Sequence, residues 1–219
     1  MQRTLAAVST LAVVLIAEGC GGSSHPAPTT SAQQSGFSCA DVSAPKPRTP
    51  RTQGAPTARL DPSKRWTLTF RTSCGEFVVL LQPRTSPRAT ASLVALARAR
   101  YFDDTVFHRI VPGFVIQGGD PTASGTGGPG YSTVDAPPAG ASYTHGVVAM
   151  AKTGAEPAGT AGSQFFVVTA DDAALPPDYA IIGKVTDGLD VVDRIGNLGD
   201  ANEQPTQVVE IERATVTVS

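Results

Sequence analysis

The chain has 219 residues, 17 Lys+Arg against 19 Asp+Glu, a formal net charge of −2, and 22 Gly with 18 Pro, so turns are frequent. A balance so near zero excludes binding to nucleic acid by bulk electrostatics. Three Cys and three His are too few and too scattered for a zinc module or a disulfide scaffold.

The chain opens with one positive charge, Arg3, and then thirteen uncharged residues from Leu5 to Ala17. That run is short of the roughly 20 residues that span a bilayer as a helix and fits the apolar region of a secretory signal peptide. Residues 1–19 are expected to be that signal. Gly19-Cys20 at its end resembles the lipobox of bacterial lipoproteins, in which Cys20 would become the lipidated N-terminus. Glu18, and Ala17 where that family usually has Leu, depart from the pattern. Soluble secretion is the alternative.

Residues 20–62 are expected to be a disordered tether. Pro, Ser and Thr fill 18 of the 42 positions from Gly21 to Pro62, and Phe37, Val42 and Leu60 are the large apolar residues. Such a composition cannot bury enough surface to offset its ordering entropy. As a flexible coil it would reach roughly 35 Å. Charge is split: residues 1–100 carry 12 basic and 4 acidic side chains, residues 101–219 carry 5 and 15. In an oxidising compartment Cys39 and Cys74 could pair and fasten the tether to the domain, or remain two free thiols.

Residues 63–219 read as the folded domain. Trp66, Leu68 and Phe70 alternate with polar neighbours at strand period, and Phe77 to Leu81 returns as a hairpin. Ser86-Pro87 reads as an N-cap with Pro at the first helical position. Ala89, Leu93, Leu96 and Ala97 then mark one helix face, over about Pro87 to Arg100. Strands are expected at Val106 to Val111, Phe114 to Gln117, Gly146 to Ala151, Gln164 to Thr169, Ile181 to Val185 and Val208 to Val218. A second helix fits Leu189 to Ile195. Eight strands of similar length can close into a small barrel with a filled interior, its ends plugged by two helices.

Some patterns carry no function. Gly125 to Gly130 matches G-x-G-x-x-G, but Pro129 interrupts it and no helix opens on the glycines, so it reads as a surface loop. No motif frames a nucleophile for His108 or His145, and His108 is expected to be packed and hydrogen-bonded. Asp171-Asp172 reads as a cap or solvated charge.

The run from Phe107 to Asp120 (Phe-His-Arg-Ile-Val-Pro-Gly-Phe-Val-Ile-Gln-Gly-Gly-Asp) resembles the central signature of the cyclophilins, the peptidyl-prolyl cis-trans isomerases. Gly146 to Ala151, Gly162 to Phe166 and Ile182 to Val185 match that family in order. The resemblance covers about Trp66 to Val218. It implies a mainly β fold, a closed eight-stranded antiparallel cyclophilin-like barrel capped by two α-helices. It also implies a catalytic set of Arg109, Gln117 and Phe114, and substrate contacts from Val115, Ala151, Gln164, Phe166, Leu175 and Tyr179, with neither metal nor cofactor. The residues make chemical sense by themselves. Val115 and Gln117 share a strand face, as do Gln164 and Phe166. If those faces meet, Arg109 and two Gln border an apolar floor of Phe114, Val115, Phe166 and Leu175, suited to a small ring flanked by amides.

Departures from the family sit on the rim. Ala174 stands where many cyclophilins carry a Trp that contributes to cyclosporin binding, so cyclosporin is expected to bind weakly. Tyr179 replaces a family His, and Lys152-Thr153 replace a common Asn-Ala. The expectation is a monomeric, exported isomerase, lipid-anchored on the outer face of the cytoplasmic membrane or else secreted. It would act on X-Pro segments of unfolded or exported proteins. The rival reading is a proline-segment binding module or holdase with little turnover; a ligand-carrier barrel would need a hollow interior.

Overall fold

The structure, a computed structural model, describes residues 38–49, 52 and 54–219. The signal segment 1–19, Cys20 and the tether up to residue 37 lie outside them. Among the described residues no helix is long and apolar enough to cross a membrane.

The hairpin forms as β1 (Trp66–Thr72) and β2 (Gly75–Leu81), joined through Ser73-Cys74. Its alternation places Leu68, Phe70, Phe77 and Val79 inside. Next come α1 (Pro87–Arg98), β3 (Thr105–Val106), β4 (Arg109–Val111) and β5 (Val115–Gly118). They are followed by β6 (Thr133–Val134), β7 (Val147–Met150), β8 (Thr160–Ala161) and β9 (Phe165–Val168). The chain ends with β10 (Ile181–Asp187), α2 (Leu189–Gly196) and β11 (Glu210–Val218). The long sheet runs β3-β11-β1-β2-β10-β7-β9-β5-β4, and β6 pairs with β8 separately.

This is a curled half-barrel of nine strands, not the closed eight-stranded barrel expected. The single strand expected from Val106 to Val111 is two strands. Thr105–Val106 pairs with β11 and Arg109–Val111 with β5. Between them the chain itself crosses the gap through Phe107 and His108, and no ladder joins β3 to β4. One bridge, Val106 to Asp120, spans that side.

Alternation along β5, β7 and β9 separates two cores. Ile116, Val148, Phe165 and Val167 point into the curl, where Phe165 lies 4.9 Å from Phe70 and Phe70 lies 5.1 Å from Phe77, centroid to centroid. This interior is filled, which disposes of a hollow carrier barrel. Each buried Phe contributes roughly 1.5–3 kcal/mol. Val115, Ala149, Phe166 and Val168 point outward and form a second cluster with Tyr143 and Val147. The helices close the first core: Ala89, Leu93, Leu96 and Ala97 of α1 are buried, as are Val191, Val192 and Ile195 of α2.

Two local expectations change. Ser86 sits at the N-cap of α1, but its hydroxyl donates to the Ile181 carbonyl at 2.6 Å. The free N–H groups of Arg88 and Ala89 instead donate to Asp135 Oδ2, both at 2.7 Å. A carboxylate far along the chain does the capping, and an anion there also suits the helix dipole. The segment expected as a tether is, over residues 38–49, laid against the domain. Cys39 and Cys74 are joined as a disulfide. Ala40 N–H donates to the Ser73 carbonyl at 2.7 Å, and the Arg48 guanidinium donates to the carbonyls of Tyr101 (2.8 Å) and Asp103 (2.5 Å).

Candidate active site

The site lies on the outward face of the sheet. Strand register sets Arg109 opposite Gln117, Gln117 opposite Phe166, and Phe166 opposite Ala149. Because strand side chains alternate, that row shares one face with Val115 and Val168. The Pro112-Gly113 turn between β4 and β5, with Gly113 at φ +67°, brings Phe114 beside the row. Gly119, at φ +86°, lets the end of β5 pass close to β9; a Cβ there would stand 2.5 Å from the Ser163 carbonyl. Ser163 Oγ donates to the Gly119 carbonyl at 2.8 Å. That fixes the residue before Gln164.

A cavity of about 140 Å³ is lined by Arg109, Phe114, Val115, Gln117, Ala151, Lys152, Phe166, Leu175 and Tyr179. It is smaller than the roughly 300 Å³ at which drug-sized pockets begin, so it suits one small side chain or ring. Eight of the nine expected site residues line it. Gln164 lies next door, in an open cleft of about 520 Å³ walled by the Gly125 to Gly130 loop, which shares Gln117, Ala151 and Lys152 with the cavity. The floor is rigid. Buried Tyr143 donates its hydroxyl to the Tyr179 carbonyl at 2.8 Å and accepts the Tyr179 N–H at 2.9 Å. Burial pushes the Tyr143 phenol up from its ordinary value.

The polar edge is a directed line. Arg109 Nη1 donates to Gln117 Oε1 at 3.3 Å, and Gln117 Nε2 donates to Gln164 Oε1 at 2.9 Å. Gln164 Nε2 donates in turn to the carbonyls of Gly125 (2.9 Å) and Gly127 (3.0 Å). A guanidinium only donates, so each amide along the line must turn its oxygen toward Arg109 and its nitrogen away. Arg109 Nε donates to Glu203 Oε2 at 2.6 Å. That hydrogen bond first, and then the charge of Arg109, hold the Glu203 carboxyl below the usual carboxylate range. Among the described residues no acceptor engages Arg109 Nη2.

Lys152 is on the rim but offers nothing to a ligand. Its side chain is 2% exposed. Its ammonium meets Asp178 Oδ2 at 2.5 Å and donates to the carbonyls of Thr153 (3.2 Å) and Glu156 (3.1 Å). Three donors have three acceptors. The pairing staples the loop after β7 to the segment carrying Tyr179.

No motif or periodicity in the sequence points to Glu203, Asp178, Tyr143 or the Gly125 and Gly127 carbonyls. Each reaches the site from a loop, where no periodicity announces it. His108 is packed but not hydrogen-bonded as expected: neither ring nitrogen has a partner among the described residues. It lines a different cavity, with Ala44, Phe107 and Val209 among its neighbours. Burial holds the imidazole below its ordinary value. His145 pairs with Asp193 at 2.6 Å, and Asp172 Oδ1 accepts the Ala174 N–H at 2.9 Å, as a turn cap does.

Residues 67–216 match the sequence model of the family described as cyclophilin type peptidyl-prolyl cis-trans isomerase/CLD. An Arabidopsis thaliana peptidyl-prolyl cis-trans isomerase is 36% identical over 154 residues, covering 68% of this chain and 92% of its own. The peptidyl-prolyl cis-trans isomerase B of Bacillus subtilis is 40% identical over 126 residues, 57% of this chain and 85% of its own. The crystal structure of a Cryptosporidium parvum cyclophilin type peptidyl-prolyl cis-trans isomerase superposes with TM-score 0.64 at 30% identity, covering 70% of this chain and 98% of that one. With the fold, the outward cavity and these similarities agreeing, the chain belongs to the cyclophilin-type peptidyl-prolyl cis-trans isomerases and is an isomerase enzyme.

Proposed function

We propose that this isomerase accelerates rotation about X–Pro bonds in exported proteins, with Arg109 stabilising the twisted imide and no covalent step. One observation carries the reading: a guanidinium held at Nε and Nη1, with no acceptor on Nη2 among the described residues, stands at the edge of a cavity with an apolar floor, the size of one small ring. Phe114, Val115, Phe166 and Leu175 would hold the proline ring, and Gln117 and Gln164 the neighbouring peptide groups. That the Cryptosporidium relative was also solved in the presence of the dipeptide Ala-Pro is in keeping with such a ligand.

Rotation about an X–Pro bond has a barrier near 20 kcal/mol because amide resonance must be broken. At the twisted state the proline nitrogen is pyramidal and regains its lone pair. A guanidinium proton aimed at that nitrogen is worth more there than in the planar ground state, which is the condition for catalysis. By analogy with a preorganised oxyanion donor, the contact supplies about 3–4 kcal/mol. No group need gain or lose a proton, so the rate should be nearly flat between about pH 6 and 9, unlike general acid–base catalysis.

Export is supported by the apolar run before Cys20 and by the Cys39–Cys74 disulfide, a bond that persists in oxidising compartments. Lipidation at Cys20 would place the enzyme on the outer face of the cytoplasmic membrane.

The test is two-dimensional NMR exchange on a short Ala-Pro peptide with the protein and its Arg109→Ala variant. Fast cis–trans exchange that falls roughly 10²–10³-fold in the variant supports the reading. Exchange that survives the substitution defeats the role of Arg109. Peptide binding without faster exchange in either protein would move the assignment to a proline-binding module.

A further inference from the structure

The loop between α2 and β11 is built against β4. Glu203 O accepts the Ile110 N–H at 3.0 Å, one residue beyond Arg109. Asp200 Oδ1 accepts the N–H groups of Asn202 and Gln204, both at 2.8 Å, and Glu203 N–H donates to the Asp200 carbonyl at 3.0 Å. This tight turn holds Glu203 at φ +64°, a region that side-chained residues seldom occupy. From there its carboxylate reaches Arg109 Nε, 94 positions away in sequence, at 2.6 Å.

A guanidinium is planar, so two contacts on different nitrogens fix its plane and its rotation within that plane. Glu203 holds Nε and Gln117 holds Nη1. The Gln117 contact is long, at 3.3 Å, and its acceptor is a neutral amide. The Glu203 contact is short and joins opposite charges, the stronger kind. Arg109 is itself 34% exposed and would otherwise swing toward water.

We infer that Glu203 is a positioning residue of this isomerase, acting through Arg109 by locking its guanidinium so that Nη2 is left for the twisted imide. The inference rests on the isomerase reading of Arg109. It predicts a particular kinetic pattern, because Glu203 itself touches no substrate and Arg109 is used in the transition state. The loss should fall on kcat and on kcat/KM alike, with KM little changed.

The experiment compares the protein with its Glu203→Ala, Glu203→Gly and Glu203→Gln variants by peptide exchange NMR at several peptide concentrations. The glycine variant accepts φ +64° without strain and so separates loss of the carboxylate from distortion of the loop. Ala and Gly are expected to lower kcat about tenfold, with KM unchanged within about twofold. Gln retains an oxygen for the Nε proton and should recover much of that loss. In parallel, the Arg109 Nε–H resonance should be protected from solvent exchange in the protein and lose that protection in the Ala and Gly variants, a readout independent of turnover. Rates equal to or above those of the unaltered protein in the Ala and Gly variants would overturn the proposal, because the carboxylate would then only offset the charge of Arg109. A raised KM at unchanged kcat would also overturn it. If the unaltered protein and Arg109→Ala isomerise the peptide alike, the isomerase role of Arg109 fails instead, and the Nε–H protection still reports whether Glu203 holds the side chain.

Discussion

Removing the Cys39–Cys74 bridge tests how firmly the segment before the domain is built into it. The bond joins residues 35 positions apart. In the chain-entropy model, closing a loop of that length in the unfolded ensemble stabilises the fold by about 4 kcal/mol. Packing adds to this: Cys74 is buried and Cys39 packs against the core from its edge. Other anchors remain when the bridge is gone. Arg48 still donates to the Tyr101 and Asp103 carbonyls, and Gln207 Nε2 to the Ala40 carbonyl at 3.2 Å. A Cys39→Ala/Cys74→Ala double variant should therefore stay folded yet lose about 4–5 kcal/mol, a large share of the roughly 5–15 kcal/mol that holds a typical domain together. Urea unfolding by linear extrapolation measures it. The m-value should rise as well, since the uncrosslinked chain exposes more surface. Equal stability with an unchanged m-value would refute the reasoning, for then the bridge constrains nothing that unfolding releases.

Two further outcomes are expected. Asp120 is buried, and its carboxylate accepts from the backbone N–H groups of Thr122, Ser124, Gly125 and Gly127. Burial opposes its ionisation, but the donors from Thr122, Gly127 and Gly125 together outweigh this and hold the carboxyl below its ordinary value. A depressed folded pKa gives stability that is present above the unfolded value, about 3.9, and is lost as pH falls through the folded one. Asp120→Asn should thus cost about 2 kcal/mol near neutrality. The gap to the unaltered protein should narrow below about pH 4, as read by thermal unfolding against pH; a gap that stays constant into acid would count against it. Cyclosporin should bind weakly while turnover persists, because Ala174, at φ +50° beside Leu175, offers no indole to cover that end of the cavity. Calorimetric affinity equal to that of Trp-bearing relatives would contradict this.

The legible part of the molecule is the part with a period. Alternation in Val115 to Gly118 and in Phe165 to Val168 assigns each residue to a face, and that assignment carries Val115, Gln117 and Phe166 to the cavity. The 3.6-residue spacing of Ala89, Leu93, Leu96 and Ala97 gives the buried side of α1 in the same way. What escaped has no period. A two-residue pair such as β6 with β8 is too short to alternate. The break at Phe107-His108 lies inside a run that still looks like one strand, because both halves carry strand-forming residues. The cap on α1 comes from Asp135, 46 or 47 positions from the N–H groups it accepts, while Ser86, the local candidate, is drawn to the Ile181 carbonyl. Local preference lost there to a tertiary partner.

The directed line across the site explains why so small a cavity depends on so much of the chain. It starts at Arg109, which can only donate, so it must end on acceptors with no competing donor. Those are the Gly125 and Gly127 carbonyls. The loop that carries them is tied down by the N–H groups of the same two glycines, which donate to Asp120 Oδ2 at 2.7 and 3.0 Å. Asp120 therefore anchors the loop at the far end of the line without lining the cavity, as Glu203 holds Arg109 at the near end. The residue after Asp120 is fastened in turn, because the Pro121 carbonyl accepts the Arg48 N–H at 2.8 Å. Arg48 lies on the strap that begins at Cys39. A chain of contacts thus runs from the disulfide, through residues 39–48 and the glycine loop, to the guanidinium.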